Sequence, residues 1–149
     1  RFIKITDRKK ELFKTTSGKY IAPQPIENKI KESRFIEQAM VIGDGEKFVS
    51  ALIVPNFQYV KEWMQINNIP FTNKDEMLRL PDVKKKIKKE VDFFTKKFSQ
   101  YEQVKKIIIV PEEWTSENGE LTPKLSLKRN IIKKKYQDII DKLYQKEEE

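Results

Sequence analysis

Ala39-Met40-Val41-Ile42-Gly43-Asp44-Gly45-Glu46-Lys47-Phe48-Val49-Ser50-Ala51-Leu52-Ile53-Val54-Pro55 holds two short apolar runs on either side of a glycine-rich turn. Runs this short, bounded by Gly and Pro, predict two strands joined as a β-hairpin. Pro55 and Asn56 close the second strand. On the C-terminal side, residues 57–100 read as helical. Phe57, Val60 and Met64 share a face, Asn67-Asn68-Ile69-Pro70 interrupts it, and Asn73 with Glu76 forms a capping pattern. From Pro81 onward Val83, Ile87, Val91, Phe94 and Phe98 recur at helical spacing with lysines opposite. Val104–Val110 predicts another strand, stopped by Pro111. A final helix is expected from near Ser126, with Ile132, Tyr136, Ile139, Ile140 and Leu143 on one side and a frayed end over residues 145–149.

On the N-terminal side, Phe2-Ile3-Lys4-Ile5-Thr6 alternates as a half-buried strand does, and residues 7–10 read as a turn. Residues 11–15 predict a second strand, followed by a tight loop at Ser17-Gly18-Lys19. Pro23 and Pro25 then lead into a helix over 26–32, with Ile26 and Ile30 on one face. These elements make an α+β domain: a small mixed sheet of about three to five strands, with a hairpin, packed against helices.

Composition excludes several chemistries. The chain has 149 residues, 38% of them hydrophobic, enough for one domain with a real core. It contains no cysteine and no histidine. Disulfide frameworks, thiol nucleophiles, imidazole bases and the usual zinc sites are therefore absent. A cysteine-free chain suits a reducing, cytoplasmic setting. No apolar run reaches the ~20 residues a membrane span needs. Thirty-one basic against 23 acidic residues leave a formal charge of +8, which favours polyanionic partners. The lysine runs 84–89 and 133–135 read as the solvated faces of amphipathic helices. Phe93, Phe94, Phe98 and Trp63 read as core. A chain that opens at Arg1 in a strand-like run reads as a piece of a longer protein.

Two lysine-bearing segments carry the functional signal. The front one is Asp7-Arg8-Lys9-Lys10-Glu11-Leu12-Phe13-Lys14-Thr15-Thr16-Ser17-Gly18-Lys19-Tyr20; the rear one is Gly119-Glu120-Leu121-Thr122-Pro123-Lys124-Leu125-Ser126-Leu127-Lys128-Arg129. Each joins a Gly- or Pro-marked turn to cations, a common way of presenting charge to a phosphate-bearing ligand. Together they resemble signature segments of the adenylate-forming enzymes, specifically the small C-terminal lid domain of the AMP-forming long-chain fatty acyl-CoA synthetases. The resemblance covers residues 1–55 and about 101–136; residues 56–100 match least, with the length of that branch's helical insertion. It implies a single domain: residues 1–55 as hinge, strands and first helix, 56–100 as helical insertion, and 101–149 as last strand, catalytic-lysine loop and C-terminal helix.

The resemblance also implies roles. Lys124 matches the lysine inserted into the active site during adenylation, with Lys128 and then Arg129 as the next candidates. Many long-chain synthetases have Thr at the position of Lys124 and Lys at that of Ser126, whereas luciferase-like relatives place the lysine as this chain does. Lys10 matches the hinge, and Asp7 and Arg8 the pair that contacts the nucleotide. Lys14, Ser17, Gly18 and Tyr20 match the surface facing coenzyme A. Glu27 matches an acidic residue for which a helix-surface role is expected. ATP, coenzyme A and a fatty acid would be the ligands. Mg²⁺ would be bound by an N-terminal adenylate-forming domain of the same chain rather than here. On this reading the isolated chain is inactive, no nucleic acid is involved, and membrane contact is at most peripheral. A second reading is a stand-alone basic module that binds nucleic acid or an anionic membrane.

Overall fold

The structure, a computed structural model, describes residues 12–148; the expected strand at 2–6, the turn at 7–10, and Asp7, Arg8 and Lys10 lie outside the described residues. Two compact units are present, one ending at Glu112 and the other spanning Glu113–Glu149.

In the first unit the predicted hairpin is the centre of the sheet. Strand β3 (Ile36–Ile42) pairs antiparallel with β4 (Val49–Pro55), which pairs in parallel with β5 (Val104–Ile109). The sheet is therefore mixed, in the order β3-β4-β5. A separate two-stranded ribbon joins β1 (Phe13–Lys14) to β2 (Tyr20–Ile21), a strand the sequence reading did not anticipate. Every residue of β4 is buried, as its unbroken apolar run requires.

Parallel pairing of β5 beside β4 needs a long crossover, and the helical segment supplies it. It contains α2 (Phe57–Ile66), α3 (Lys74–Arg79) and α4 (Pro81–Thr95). Asn56 caps α2 by accepting the Tyr59 amide at 3.1 Å. The Asn73 and Glu76 pattern is present at α3: Asn73 accepts the Glu76 amide at 2.9 Å, and the Glu76 carboxylate accepts the Thr72 amide at 2.7 Å. Val83, Ile87 and Val91 of α4 enter the core with Ile26 and Ile30 of α1 (Pro23–Ile30) and with Ala39, Val41, Ala51 and Ile53 of the sheet. Phe35 meets Tyr59 and Trp63 edge-on, with ring centroids 4.8 and 6.0 Å away.

Three expectations change here. Phe93 is not core: it is 57% exposed, under the Lys96 ammonium at 4.4 Å, because Thr95 continues the buried stripe of α4 in its place. Phe94, Phe98 and Trp63 are only partly buried, Phe98 and Trp63 packing against the core from its margin. Glu27 is not a surface residue of α1; it is 3% exposed, and its carboxylate accepts the Val41 amide at 2.7 Å. Among the described residues no strand pairs with the outer edge of β3, and there the glutamate takes up the Val41 backbone donor.

Gly43 sits where β3 turns towards β4. Its φ is +151°, and an added Cβ would meet Phe48 O at 3.0 Å and Phe13 Cε1 at 3.1 Å. Here the ribbon docks: Thr16 donates to Glu46 O at 3.0 Å and Gly45 to Lys14 O at 2.9 Å.

In the second unit a loop leads to α5 (Arg129–Lys135) and α6 (Gln137–Glu148). The expected single helix from Ser126 is thus shorter at its start and broken at Tyr136, whose φ/ψ of −108°/17° leaves the helical region. The break resets the buried face. Ile132, Tyr136, Ile140 and Tyr144 are buried at four-residue intervals, while Ile139 is 48% exposed.

Glu27→Ala should lower stability by about 1–3 kcal/mol by orphaning the Val41 amide. Gly43→Ala should cost about 2 kcal/mol through backbone strain and crowding. Urea unfolding midpoints of the two variants check both; loss below 0.5 kcal/mol in either case contradicts the corresponding contact.

Candidate functional site

The front segment folds as a three-residue hairpin. The Thr15 amide donates to Lys19 O at 3.3 Å and the Gly18 amide to Thr15 O at 3.0 Å, with Gly18 at φ +84°. This is a β-turn followed by one left-handed residue, a common way to join two strands. Nothing lies within 4 Å of a Cβ built on Gly18, so its backbone conformation alone accounts for glycine within this unit. The Thr15 and Ser17 hydroxyls are hydrogen-bonded at 2.8 Å. Lys14 and Tyr20 face each other across the ribbon, and the Lys14 ammonium lies 5.4 Å from the ring centroid. Lys19 lies over Tyr101 at 5.6 Å. Lys14, Ser17, Gly18 and Tyr20 are all exposed, so the four residues matched to the coenzyme A-facing surface share one hairpin.

The rear segment repeats that hydrogen-bond pattern. The Thr122 amide donates to Ser126 O at 2.8 Å and the Leu125 amide to Thr122 O at 2.8 Å, and Leu125 has φ +68°. Leu121 and Leu127 bridge below the turn. The Thr122 hydroxyl also accepts the Ser126 amide at 3.1 Å. Pro123 suits the first central position of the turn, and Lys124 takes the second, at the apex. A leucine in the left-handed region costs roughly 1–2 kcal/mol against its ordinary conformation. Lys124 is therefore not on a helix-entry loop but at the tip of a hydrogen-bonded hairpin. Lys128 precedes the first residue of α5, and Arg129 begins it.

The base of this hairpin is clamped by a buried acid. Glu120 is 1% exposed, and its carboxylate accepts the Thr115 amide at 3.1 Å and the Lys135 ammonium in a short contact. Its own carbonyl accepts the Lys128 amide at 2.9 Å. One residue thus ties the 115 loop, both ends of the hairpin and α5 together. Trp114, also buried, donates its indole N–H to the Tyr136 hydroxyl at 3.4 Å.

Chemically, the hairpins offer ammonium groups on restrained backbones. Among the described residues neither Lys14 nor Lys124 is paired with a carboxylate, so each has its full charge available to an anion. Among those residues no group of three or more Asp or Glu gathers as a metal site. The matched residues fall in separate units: Lys14, Ser17, Gly18 and Tyr20 in the first, Lys124, Lys128 and Arg129 in the second. Glu120 and Leu125 escaped the sequence reading. The only trace of Leu125's conformation was a threonine three residues before the left-handed position, common to both hairpins.

A domain with this mixed sheet and lysine-tipped hairpin belongs to a defined class: residues 11–148 match the AMP-binding enzyme C-terminal domain family, and the chain is a member of it. Among its relatives is the long-chain-fatty-acid–CoA ligase FadD15 of Mycobacterium tuberculosis, 33% identical over 98% of this chain and 24% of that protein. Human long-chain-fatty-acid–CoA ligase 1 is 36% identical over 95% of this chain and 21% of its own length. The chain thus spans less than a quarter of the curated relatives named here. In fold it is similar to the adenylation domain of a carboxylate reductase from Mycobacterium chelonae, with a TM-score of 0.76 and 22% identity over 93% of this chain and 20% of that one. It is likewise similar to the A domain of the carboxylic acid reductase from Segniliparus rugosus, a structure in complex with AMP and a co-purified carboxylic acid, with a TM-score of 0.75 and 21% identity over 94% of this chain and 20% of that one. The α+β architecture with a small mixed sheet is thus the fold shared with these two solved domains. Among the described residues no helix is long and apolar enough to cross a membrane.

Glu120→Ala should take the acceptor from the Thr115 amide and cost about 1–3 kcal/mol, the half-exposed Lys135 ammonium being able to rehydrate. Hydrogen exchange is the readout: the Thr115 amide should lose protection first, and unchanged protection there would rule out the clamp.

Proposed function

We propose that this chain is the C-terminal domain of a long-chain fatty acid–CoA ligase, which activates a fatty acid as its adenylate and then transfers the acyl group to coenzyme A. The observation that supports this best is Lys124, an uncompensated ammonium at the apex of a clamped hairpin. It lies in a chain whose relatives, matched over almost its whole length, are named as such ligases.

In the first step a carboxylate oxygen attacks the α-phosphorus of ATP, and pyrophosphate leaves with the electron pair of the broken P–O bond. Two anions must approach each other, and the Lys124 ammonium offsets their repulsion by bridging carboxylate, α-phosphate and ribose. No proton moves in that step, so a chain without histidine suffices. Mg²⁺, held with ATP by the remainder of the enzyme, would neutralise charge on the triphosphate. In the second step the domain turns about Lys10, and Asp7 and Arg8 stay with the nucleotide. Lys14, Ser17, Gly18 and Tyr20 then face coenzyme A, whose thiolate attacks the acyl carbonyl and displaces AMP. The loop around Gly18 leaves room for a slender pantetheine arm. A reorientation of this kind fits a weak, charged contact with the rest of the enzyme. The chain alone would fold without catalysing, and the complete enzyme would work in the cytoplasm with at most peripheral membrane contact.

In the complete enzyme, Lys124→Ala should reduce adenylate formation about 10²–10³-fold, the effect of removing one preorganised charge. Thioester formation from supplied acyl-adenylate should be unchanged. Pyrophosphate release and acyl-CoA appearance, measured separately, check this; equal loss of both steps would falsify the role given to Lys124.

A further inference from the structure

The two hairpins share one backbone plan but differ at its left-handed position. The front hairpin places Gly18 there, at φ +84°, the residue type that takes this conformation without steric cost. The rear hairpin places Leu125 there, at φ +68°. Its side chain gains nothing in return within its own unit, since it is 69% exposed. A strained, exposed, apolar residue sits directly beside the lysine at the hairpin apex. Local folding would favour glycine at this point, so the leucine serves a contact that forms when the hairpin is in use. This chain covers only 24% of a relative such as the Mycobacterium tuberculosis ligase, so most of the protein surface that could receive an exposed apolar side chain beside Lys124 lies in the remainder of the enzyme.

We propose that Leu125 is a docking anchor: during adenylation its side chain is buried against an apolar protein surface of the remainder of the enzyme, seating the hairpin so that Lys124 reaches the reacting atoms. The inference rests on the proposed role of Lys124. Leu125 acts through that lysine and is a positioning residue. It raises the population of the seated state, so its loss is read in kcat rather than in substrate binding.

The test uses the complete enzyme with Leu125→Gly, Leu125→Met and, as a reference, Lys124→Ala. Leu125→Gly should lower the kcat of adenylate formation about tenfold or more, the effect of losing one buried leucyl side chain. KM for ATP and fatty acid should stay within about twofold, since the contact is absent from the binding step. Thioester formation from supplied acyl-adenylate should be unchanged, and the melting temperature should not fall, because glycine relieves the strain. Leu125→Met should keep most of the activity. The proposal is overturned if Leu125→Gly adenylates at the wild-type rate, or if Leu125→Met is as impaired as glycine. It is also overturned if the defect appears with long-chain acids and vanishes with short ones, which would mean that the leucine touches the acyl chain rather than protein. If Lys124→Ala leaves adenylation intact, the lysine reading has failed and the anchor, which acts through that lysine, falls with it; wild-type adenylation by Leu125→Gly beside an impaired Lys124→Ala overturns the anchor alone.

Discussion

Strand β4 is buried along its whole length and hydrogen-bonded on both sides, antiparallel to β3 and parallel to β5. Much of the first unit follows from that constraint. A parallel neighbour cannot be reached by a tight turn, so the chain must travel through α2, α3 and α4 before β5 begins. The crossover helices bring Val83, Ile87 and Val91 to the sheet and so supply the core. Among the described residues the antiparallel side ends at β3, whose outer edge presents the Val41 amide to Glu27. A carboxylate is well suited there, because a charged acceptor satisfies a backbone donor while discouraging a further strand.

Each unit carries a lysine on a short hairpin closed by its own backbone hydrogen bonds. In each, a threonine opens the turn and a left-handed residue closes it, and the backbone bonds needed lie within five residues. Such loops keep their shape without leaning on a core. The backbone beneath the apical lysine is then already ordered when an anion arrives, and only the side chain's own rotamer freedom remains to be lost. The clamp by Glu120 adds to this by fixing the hairpin's base to α5.

Local patterns were the legible part of the sequence. The β3–β4 hairpin, the Val83, Ile87 and Val91 part of the stripe on α4 and the Asn73 cap each depend on residues within a few positions, and each is found where its pattern lies. Features set by distant partners were not legible. Glu27 and Glu120 look like ordinary surface acids until the Val41 amide and the Lys135 ammonium are beside them. Leu125 gives no sign of a positive φ, so the rear hairpin was read as the run-in to a helix. Ile139 fits a continuous helical face, and only the break at Tyr136 moves it off that face. Of the candidate site, the lysines and the glycine were visible as residue types. Their shared hairpin geometry was not, because it resides in backbone hydrogen bonds.

The two tryptophans are divided between the units. Trp114 is sealed at 1% exposure with its indole N–H held by Tyr136, whereas Trp63 is partly open and edge-packed on Phe35. Their fluorescence therefore differs in colour: the enclosed indole emits to the blue and the half-hydrated one to the red. Each unit carries its own built-in spectroscopic label, and the melting of one can be followed apart from the other without attaching a dye.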